Sequence, residues 1–392
     1  MYKIIFVSAF LFSVTLTLAQ GTLDSVLNSI ASKNKTLASY SKLSEARQLE
    51  FRTGLTPYNP TVEYDYLLGT PSNAGNQTDI MVVQSFDFPT AYIKRKKVAN
   101  GQVSRLGFET SVKRQAIMIQ AKIACINMIY LNKIIVQLKI RVANAKRVNK
   151  DLETKLFNEE ISAIDANKAK LVLLNSTVTL KMHESTREGL LLHLTEMNGG
   201  ESIGFRETIY PVKPAVPSVD SLEISIEEND PLLKIHEQDI AISELQIGLM
   251  KALALPKMEA GYHYQSILGQ TFNGLHFGIS IPLWENKNSV KQSKAYSLYA
   301  QAELIEHKND HKYEIKELYE RYRSLEASIA EYENVLQGLS SEELLQKSLG
   351  LGQISFIEYA LEIDYYYRAL DQYFHLEKEL HLTLAKLYKH QL

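Results

Sequence analysis

The chain has 392 residues, with 43 lysines and arginines against 45 aspartates and glutamates, so its formal net charge is −2 at pH 7. This balance gives no basic excess for binding nucleic acid, and the single cysteine, Cys125, excludes an intrachain disulfide framework and a thiolate metal cluster. The ten prolines are unevenly placed, and residues 90–210 and 283–392 contain none. Because proline breaks helices, these two stretches predict long helices.

The N-terminus has the three parts of a secretory signal peptide: Lys3 in a charged start, an apolar run at 4–18, and a small-residue cleavage site ending at Ala19. The run is shorter than the roughly 20 residues that cross a bilayer as a helix, which disfavours a membrane anchor. We therefore expect residues 1–19 to be removed and the mature chain to begin at Gln20. The remainder has no apolar run of spanning length, so the exported protein is secreted, periplasmic, or inserted in a membrane as a β-barrel.

Two halves of the sequence repeat each other in order. The matched segments are 60–66 with 256–262, 86–89 with 279–282, and 160–165 with 353–358. The offset between matched residues is 193 to 196 positions, which predicts a tandem duplication rather than a short solenoid repeat. The predicted domains are a first repeat at 20–197, a connector at 198–219 and a second repeat at 220–392. Each repeat begins with a helical segment, at about 23–51 and about 221–254.

Two segments in each repeat alternate apolar and polar residues with the period of a half-buried β-strand. They lie at about 60–68, 79–88, 257–266 and 273–281. Their lengths approach the 9–11 residues of a membrane-spanning strand, and tyrosine and phenylalanine recur on the apolar face as in outer-membrane barrels. Two soluble hairpins packed on helices are the alternative. Four strands are too few to close a membrane barrel, so the membrane interpretation predicts that several chains share one barrel.

The polar face of these strands supplies candidate residues for a channel lumen. They are Glu63, Asp65, Asp79, Asp87, Glu259 and His263. In a symmetric oligomer each would form a ring, and acidic rings favour cations. An ordinary solvated strand residue is the alternative for each of them.

Long helices follow the strands in each repeat, at about 90–155 with 161–197 and at about 283–348 with 354–391. Residues 117–142 carry apolar side chains on more than one helix face, which is typical of a helix packed between two neighbours. In the turn of the second pair, Gly350 and Gly352 can adopt left-handed conformations and Ser355 can cap the next helix. In the first pair Asn158 and Ser162 are the corresponding turn and cap residues.

Taken together, these features resemble the TolC family of outer-membrane efflux proteins across essentially the whole mature chain. The resemblance rests on the duplication, on the paired segments 60–66 and 256–262, on the strand end Ile-Ser-Ile-Pro-Leu-Trp at 279–284, and on Gly-Gln-Ile-Ser at 352–355. One position departs from the pattern, because Glu159 stands where the second turn has Gly352. This departure leaves the shape of the first turn open.

The resemblance implies a mainly α-helical fold with membrane β-structure. Each chain would give four strands to a trimeric twelve-stranded barrel, continued by a long antiparallel α-helical barrel. It further implies a homotrimer in a Gram-negative outer membrane, extending into the periplasm and contacting outer-membrane lipid, a periplasmic adaptor and an inner-membrane pump. The compact length looks most like the outer-membrane components of heavy-metal and multidrug pumps of the RND type. The expected function is a passive conduit for small molecules or metal cations.

Adaptor docking and the channel gate are expected at the helix turns. The candidate residues are Asn158, Glu160, Ile161, Ser162, Asp165, Gly350, Gly352, Gln353, Ser355 and Glu358. A type I protein-secretion conduit of the same fold, and a periplasmic coiled-coil scaffold without a channel, are the alternatives.

The sequence predicts no enzyme, cofactor or metal site, because no Ser/His/Asp arrangement has supporting local context. His307 and His311 have the i, i+4 spacing that can bind a divalent metal on a helix. The polar residues between them favour a solvated helix face instead.

Overall fold

The structure, a computed structural model, describes residues 22–338 and 341–392, so the expected signal peptide and cleavage site lie outside the described residues. The chain is mainly α-helical with one antiparallel sheet, which confirms the predicted fold class. In chain order the helices and strands are α1 (Leu23–Lys33), α2 (Lys35–Arg52), β1 (Thr61–Leu67), β2 (Gln77–Phe86), α3 (Pro89–Phe157), α4 (Ala163–Met197), α5 (Val219–Asn229), α6 (Pro231–Leu253), β3 (Lys257–Ile267), β4 (Gln270–Ser280), α7 (Ser289–Gln337), α8 (Ser341–Gly350) and α9 (Phe356–Leu387).

Each repeat opens with two helices where the sequence predicts one. Asn34 separates α1 from α2, and Asp230 separates α5 from α6, with extended ψ angles of 120° and 117°. Asp230 also accepts a hydrogen bond from the backbone N–H of Leu232, and Pro231 occupies the first turn of α6. Because a residue before proline avoids the helical region, the break at Asp230 is encoded locally.

The third long helix begins later than predicted, at Ser289 instead of about 283. Asn288, directly before it, has a left-handed φ of 69°, and its backbone C=O accepts from the N–H of Gln292 as the helix starts. The segment predicted to be helical up to about 348 is two helices, α7 and α8. By contrast, α3 is continuous over 69 residues and has Pro89 at its first position, where the missing N–H costs nothing.

The four strands form one sheet in the order β1-β2-β3-β4, with every neighbouring pair antiparallel. The central pair, β2 and β3, joins the two sequence repeats in a single ladder. Consequently β1 and β4 are the edge strands of the described sheet.

The chain divides into two compact units that do not follow the sequence repeats. Of the described residues, the first comprises 22–34, 120–214, 324–338 and 341–382, and the second comprises 35–119, 215–323 and 383–392. Each unit therefore takes segments from both repeats.

Each unit has its own apolar clusters of buried side chains. In the first unit one cluster contains Val148, Leu152, Ala169, Phe356, Tyr359 and Ile363. In the second unit a cluster contains Leu222, Ile226, Ile315 and Leu387. Full burial of side chains of this size contributes about 1.5–3 kcal/mol each, so these clusters hold the helices of each unit together.

One described helix, α3, is long and apolar enough to cross a membrane by length and composition. Of its most apolar window, 56% is buried inside the chain, as in the core helix of a water-exposed protein. This burial is typical of a helix packed within a protein, and the absence of a membrane-spanning helix after the signal peptide stays a prediction.

Candidate functional site

One face of the sheet in the second unit is mainly apolar, with Gln84 and Asn273 among its few polar members. The strand register places Val62, Val82, Tyr262 and Leu275 in one row across all four strands. All seven residues of β1 are exposed, and on β4 the side chains of Leu275, Phe277 and Ile279 are 74–76% exposed. A contiguous exposed apolar face of this kind marks a membrane or partner surface, because single exposed apolar residues are ordinary but rows of them are not.

The opposite face carries five of the six lumen candidates. Strand alternation puts Glu63, Asp65, Asp79, Glu259 and His263 there, with Asp65 directly opposite Asp79. His263 Nε2 lies 3.4 Å from Asp79 Oδ1, and the hydroxyl of Ser85 donates to Glu259 Oε1 at 3.2 Å. The two faces therefore differ in polarity, as in a conduit through lipid, although Met81 and Val83 lie on the polar face.

Asp87 differs from the expectation for a lumen residue. It follows the end of β2, is only 3% exposed, and accepts a hydrogen bond from Arg95 at 2.7 Å. Its backbone N–H donates to the hydroxyl of Tyr92. The prediction for Asp87 is wrong because the strand ends at Phe86 and the carboxylate turns onto the first turn of α3.

The two helix turns of the first unit have the same backbone structure. Glu159 and Gly352 both adopt the left-handed conformation, with φ of 62° and 70°. Matching hydrogen bonds close the two turns at 2.9 Å, from Glu160 N–H to Lys155 O and from Gln353 N–H to Ser348 O. The turn residue of the first pair is therefore Glu159 rather than Asn158, and Gly350 belongs to α8.

Serine caps begin the helix after each turn, as predicted. Ser162 Oγ accepts from the backbone N–H of Asp165 at 3.3 Å. Ser355 Oγ accepts from the N–H of Glu358 at 3.2 Å, and the Glu358 carboxylate accepts from the N–H of Ser355 at 2.8 Å. These hydrogen bonds favour the charged carboxylate and lower the pKa of Glu358.

Both turns gather on one cluster of buried side chains. Ile161 from the first turn and Ile354 from the second pack against the group containing Val148 and Phe356. The structure thus brings the two predicted tip segments together, although they are 193 residues apart in the sequence. Asn158 donates to Glu160 Oε1 at 3.0 Å, which orders the exposed side of the first turn.

Reasoning from the sequence missed a buried ion pair in the first unit. Arg141 on α3 makes two hydrogen bonds to Asp371 on α9, at 2.6 and 2.9 Å, and its guanidinium lies 4.3 Å from the ring centroid of Tyr367. Arg141 is 8% exposed, so this pair ties α9 to α3. The partners are 230 residues apart, and no local pattern in the sequence connects them.

The sequence predicts that His307 and His311 lie on a solvated face of α7, and this prediction is wrong for His311. That side chain is 8% exposed, and its Nε2 lies 2.9 Å from Asp230 Oδ2. Asn309 and Asp310 between them are exposed, whereas His307 contacts His236 on α6.

No protein-family model matches the sequence, and no curated protein matches it significantly. Solved structures do match. The structure of CusC, described in connection with folding and transmembrane channel formation, has a TM-score of 0.78 and 13% identity, covering 95% of this chain and 92% of that chain. The CmeC outer membrane channel of Campylobacter jejuni has a TM-score of 0.72 and 13% identity, covering 94% and 85%. The outer membrane protein VceC of Vibrio cholerae has a TM-score of 0.74 and 12% identity, covering 94% and 95%. The chain therefore has the fold of outer-membrane channels, which confirms at the level of fold the resemblance inferred from the sequence.

Proposed function

We propose that the protein is an outer-membrane efflux channel, a homotrimeric conduit embedded in the outer membrane and extending into the periplasm. The observation that carries the proposal is the two-faced sheet, with rows of exposed apolar side chains on one face and carboxylates on the other. Water solvates the polar face, and lipid is the solvent that suits the apolar face.

The edge strands supply the argument for a trimer. In hydrocarbon an unpaired strand edge leaves several backbone groups without hydrogen bonds, at a cost of several kcal/mol for each group. Pairing β4 of one copy with β1 of the next satisfies both edges. Three copies close a barrel of twelve strands, above the minimum of about eight for membrane barrels.

Electrophoresis of outer-membrane fractions before and after heating would test this assembly. The proposal predicts a trimeric band that converts to monomer only on heating. A monomer in the soluble periplasmic fraction would instead support the scaffold alternative, because a protein with no barrel has no reason to fractionate with lipid.

We further propose that the two turns in the first unit dock a periplasmic adaptor, which links the conduit to an inner-membrane pump of the RND type, and that small molecules or metal cations are the cargo. The turns are exposed, share one backbone structure, and are fixed by two serine caps and a common cluster of buried side chains. In a trimer each of the five candidate residues on the polar face, four carboxylates and one histidine, would recur three times around the lumen. Such rings of acidic residues would favour cations.

Combining Glu160→Lys with Gly352→Val is expected to reduce adaptor crosslinking and efflux at least tenfold. The first change reverses a surface charge on one turn, and the second puts a branched residue at a φ of 70° on the other. Site-specific crosslinking in cells measures docking, with drug or metal sensitivity as the efflux readout.

Glu188→Lys, a charge reversal on the exposed surface of α4, is the control and should leave crosslinking at the wild-type level. Wild-type crosslinking by the double variant, with trimers present at normal abundance, would remove the turns from the docking surface.

Glu159→Gly is expected to stabilise the protein by about 1 kcal/mol, because a residue with a Cβ atom is strained at a left-handed φ. Gly352→Ala is the reciprocal change and should destabilise by a similar amount. An alanine Cβ at Gly352 would have no neighbouring atom within 4 Å, so the change in stability would report backbone strain and not a steric clash. Chemical unfolding of the purified protein measures both; equal stabilities would show that the turn tolerates either residue.

A further inference from the structure

Three imidazole rings and one carboxylate form a group in the second unit. His307 and His311 occupy successive turns of α7, and His236 projects from α6. The ring centroids of His236 and His307 are 4.9 Å apart, and those of His307 and His311 are 5.0 Å apart. Asp230, the residue that caps α6, lies against His311 and is 1% exposed.

The rings have unused hydrogen-bonding atoms in buried positions. Nδ1 of His236, Nε2 of His307 and Nδ1 of His311 are each buried without a hydrogen-bond partner. A buried polar atom left unpaired destabilises the folded state, so three on neighbouring rings require an explanation.

Asp230 determines which nitrogen of His311 is available. Its Oδ2 lies 2.9 Å from His311 Nε2, and although the two atoms are not aligned as a hydrogen bond, a carboxylate at this distance favours the tautomer with the proton on Nε2. The lone pair is then on Nδ1, the unpaired atom of a side chain that is more than nine-tenths buried. A carboxylate that orients a histidine in this way is the usual outer partner of a metal-ligating imidazole.

We propose that His236, His307 and His311 bind one divalent transition-metal ion of the Zn²⁺ class, with Asp230 as the orienting carboxylate. Imidazole nitrogen is a preferred ligand of Zn²⁺, Cu²⁺ and Ni²⁺. The fourth position is left for water.

The spacing of two of the three ring pairs, His236 with His307 and His307 with His311, agrees with a shared ion. For tetrahedral zinc with Zn–N distances of 2.0–2.1 Å, two ligating imidazoles have centroids about 5.2 Å apart. The observed 4.9 and 5.0 Å are within a few tenths of an ångström of this value. In the described part of the chain no group of three such side chains has the geometry of a formed metal site. Binding therefore requires the rings to rotate so that their unpaired nitrogens converge, while the helices keep their separation.

The charges around the group favour a cation. Three nearby lysines have carboxylate partners of their own: Lys308 lies 3.2 Å from Glu227, Lys312 lies 3.5 Å from Glu223, and Lys389 lies 3.6 Å from Glu314. Asp230 adds a negative charge beside the rings. Burial and the neighbouring histidines lower the pKa of His307, which keeps its ring in the neutral form that binds metals. This metal site is separate from the residues proposed to contact the transported cargo, because the three histidines lie on α6 and α7 and the cargo-contacting residues lie on the polar face of the sheet.

Isothermal titration of ZnCl₂ into the full-length detergent-solubilised protein, stripped with a chelator, tests the proposal. One Zn²⁺ per chain with a micromolar or lower Kd is expected. His307→Gln and His236→Gln should each weaken binding at least 100-fold, whereas His375→Gln, a change at an exposed position on α9, should leave the Kd unchanged. Asp230→Asn retains a good helix-capping residue and should weaken binding 10–100-fold.

A second measurement needs no variant. Co²⁺ bound by three histidines and one water should show the intense visible absorption of tetrahedral cobalt, and added Zn²⁺ should abolish it. A titration without a saturable site, an unchanged Kd in His307→Gln, or only the weak absorption of octahedral cobalt would overturn the proposal.

Discussion

The Phe277→Arg variant is expected to be lost from the outer membrane, with its trimer reduced at least tenfold in the membrane fraction. Phe277 is 75% exposed on the apolar face of β4, directly opposite Ala260 in the sheet. If that face meets lipid, an arginine costs about 2–4 kcal/mol near the bilayer midplane, and a trimer incurs the cost three times. Heat-modifiable electrophoresis of membrane fractions measures the loss.

The neighbouring position provides the control. His276→Arg puts the same side chain on the next residue of the strand, where it faces the polar side of the sheet. Its trimer should form at close to the wild-type level, since a lumen can hydrate the charge. Equal abundance of the two variants would show that the apolar face does not meet lipid.

Asp371→Asn is expected to destabilise the protein by about 2–4 kcal/mol, because it leaves the Arg141 guanidinium buried without its counter-charge. Arg141 is 8% exposed whereas Asp371 is 42% exposed, so water recovers part of the loss and the lower half of that range is expected. The loss should also loosen α9 against α3. Chemical unfolding followed by circular dichroism measures the stability.

The same substitution two turns earlier on α9 is the matched control. Asp364 pairs with Arg368, but both side chains are well exposed, at 50% and 76%. Exposed pairs contribute about 0–1 kcal/mol, so Asp364→Asn should be nearly neutral. Replacing both Arg141 and Asp371 with apolar residues should restore most of the stability. If Asp371→Asn and Asp364→Asn were equally mild, the buried pair would not hold α9.

Much of the fold follows from local patterns in the sequence. Alternation of apolar and polar residues locates the four strands, and the absence of proline locates the long helices. The alternation also assigns Glu63 and Asp79 to the polar face, because successive side chains in a strand point to opposite faces and the odd-numbered residues of β1 and β2 share one face. The same rule fails at Asp87, because this residue lies beyond the last residue of β2 and side chains outside a strand do not alternate between two faces.

Contacts over long separations were not predictable. The pair of Arg141 with Asp371 and the grouping of His236 with His307 depend on how helices from different segments pack, which single-sequence periodicity does not contain. The conformation of Glu159 is a different case, since the sequence alone disfavours a left-handed glutamate. Closure of the turn by hydrogen bonds and packing of Ile161 on the buried cluster outweigh that local preference.

Single-channel recording in a planar lipid bilayer tests the channel proposal most directly. Purified trimer added to one side should insert and produce discrete conductance steps with a reversal potential that favours cations, because the polar face carries Glu63, Asp65, Asp79 and Glu259. The Phe277→Arg protein should produce none. A wild-type protein that remains a water-soluble monomer and gives no steps would contradict the account.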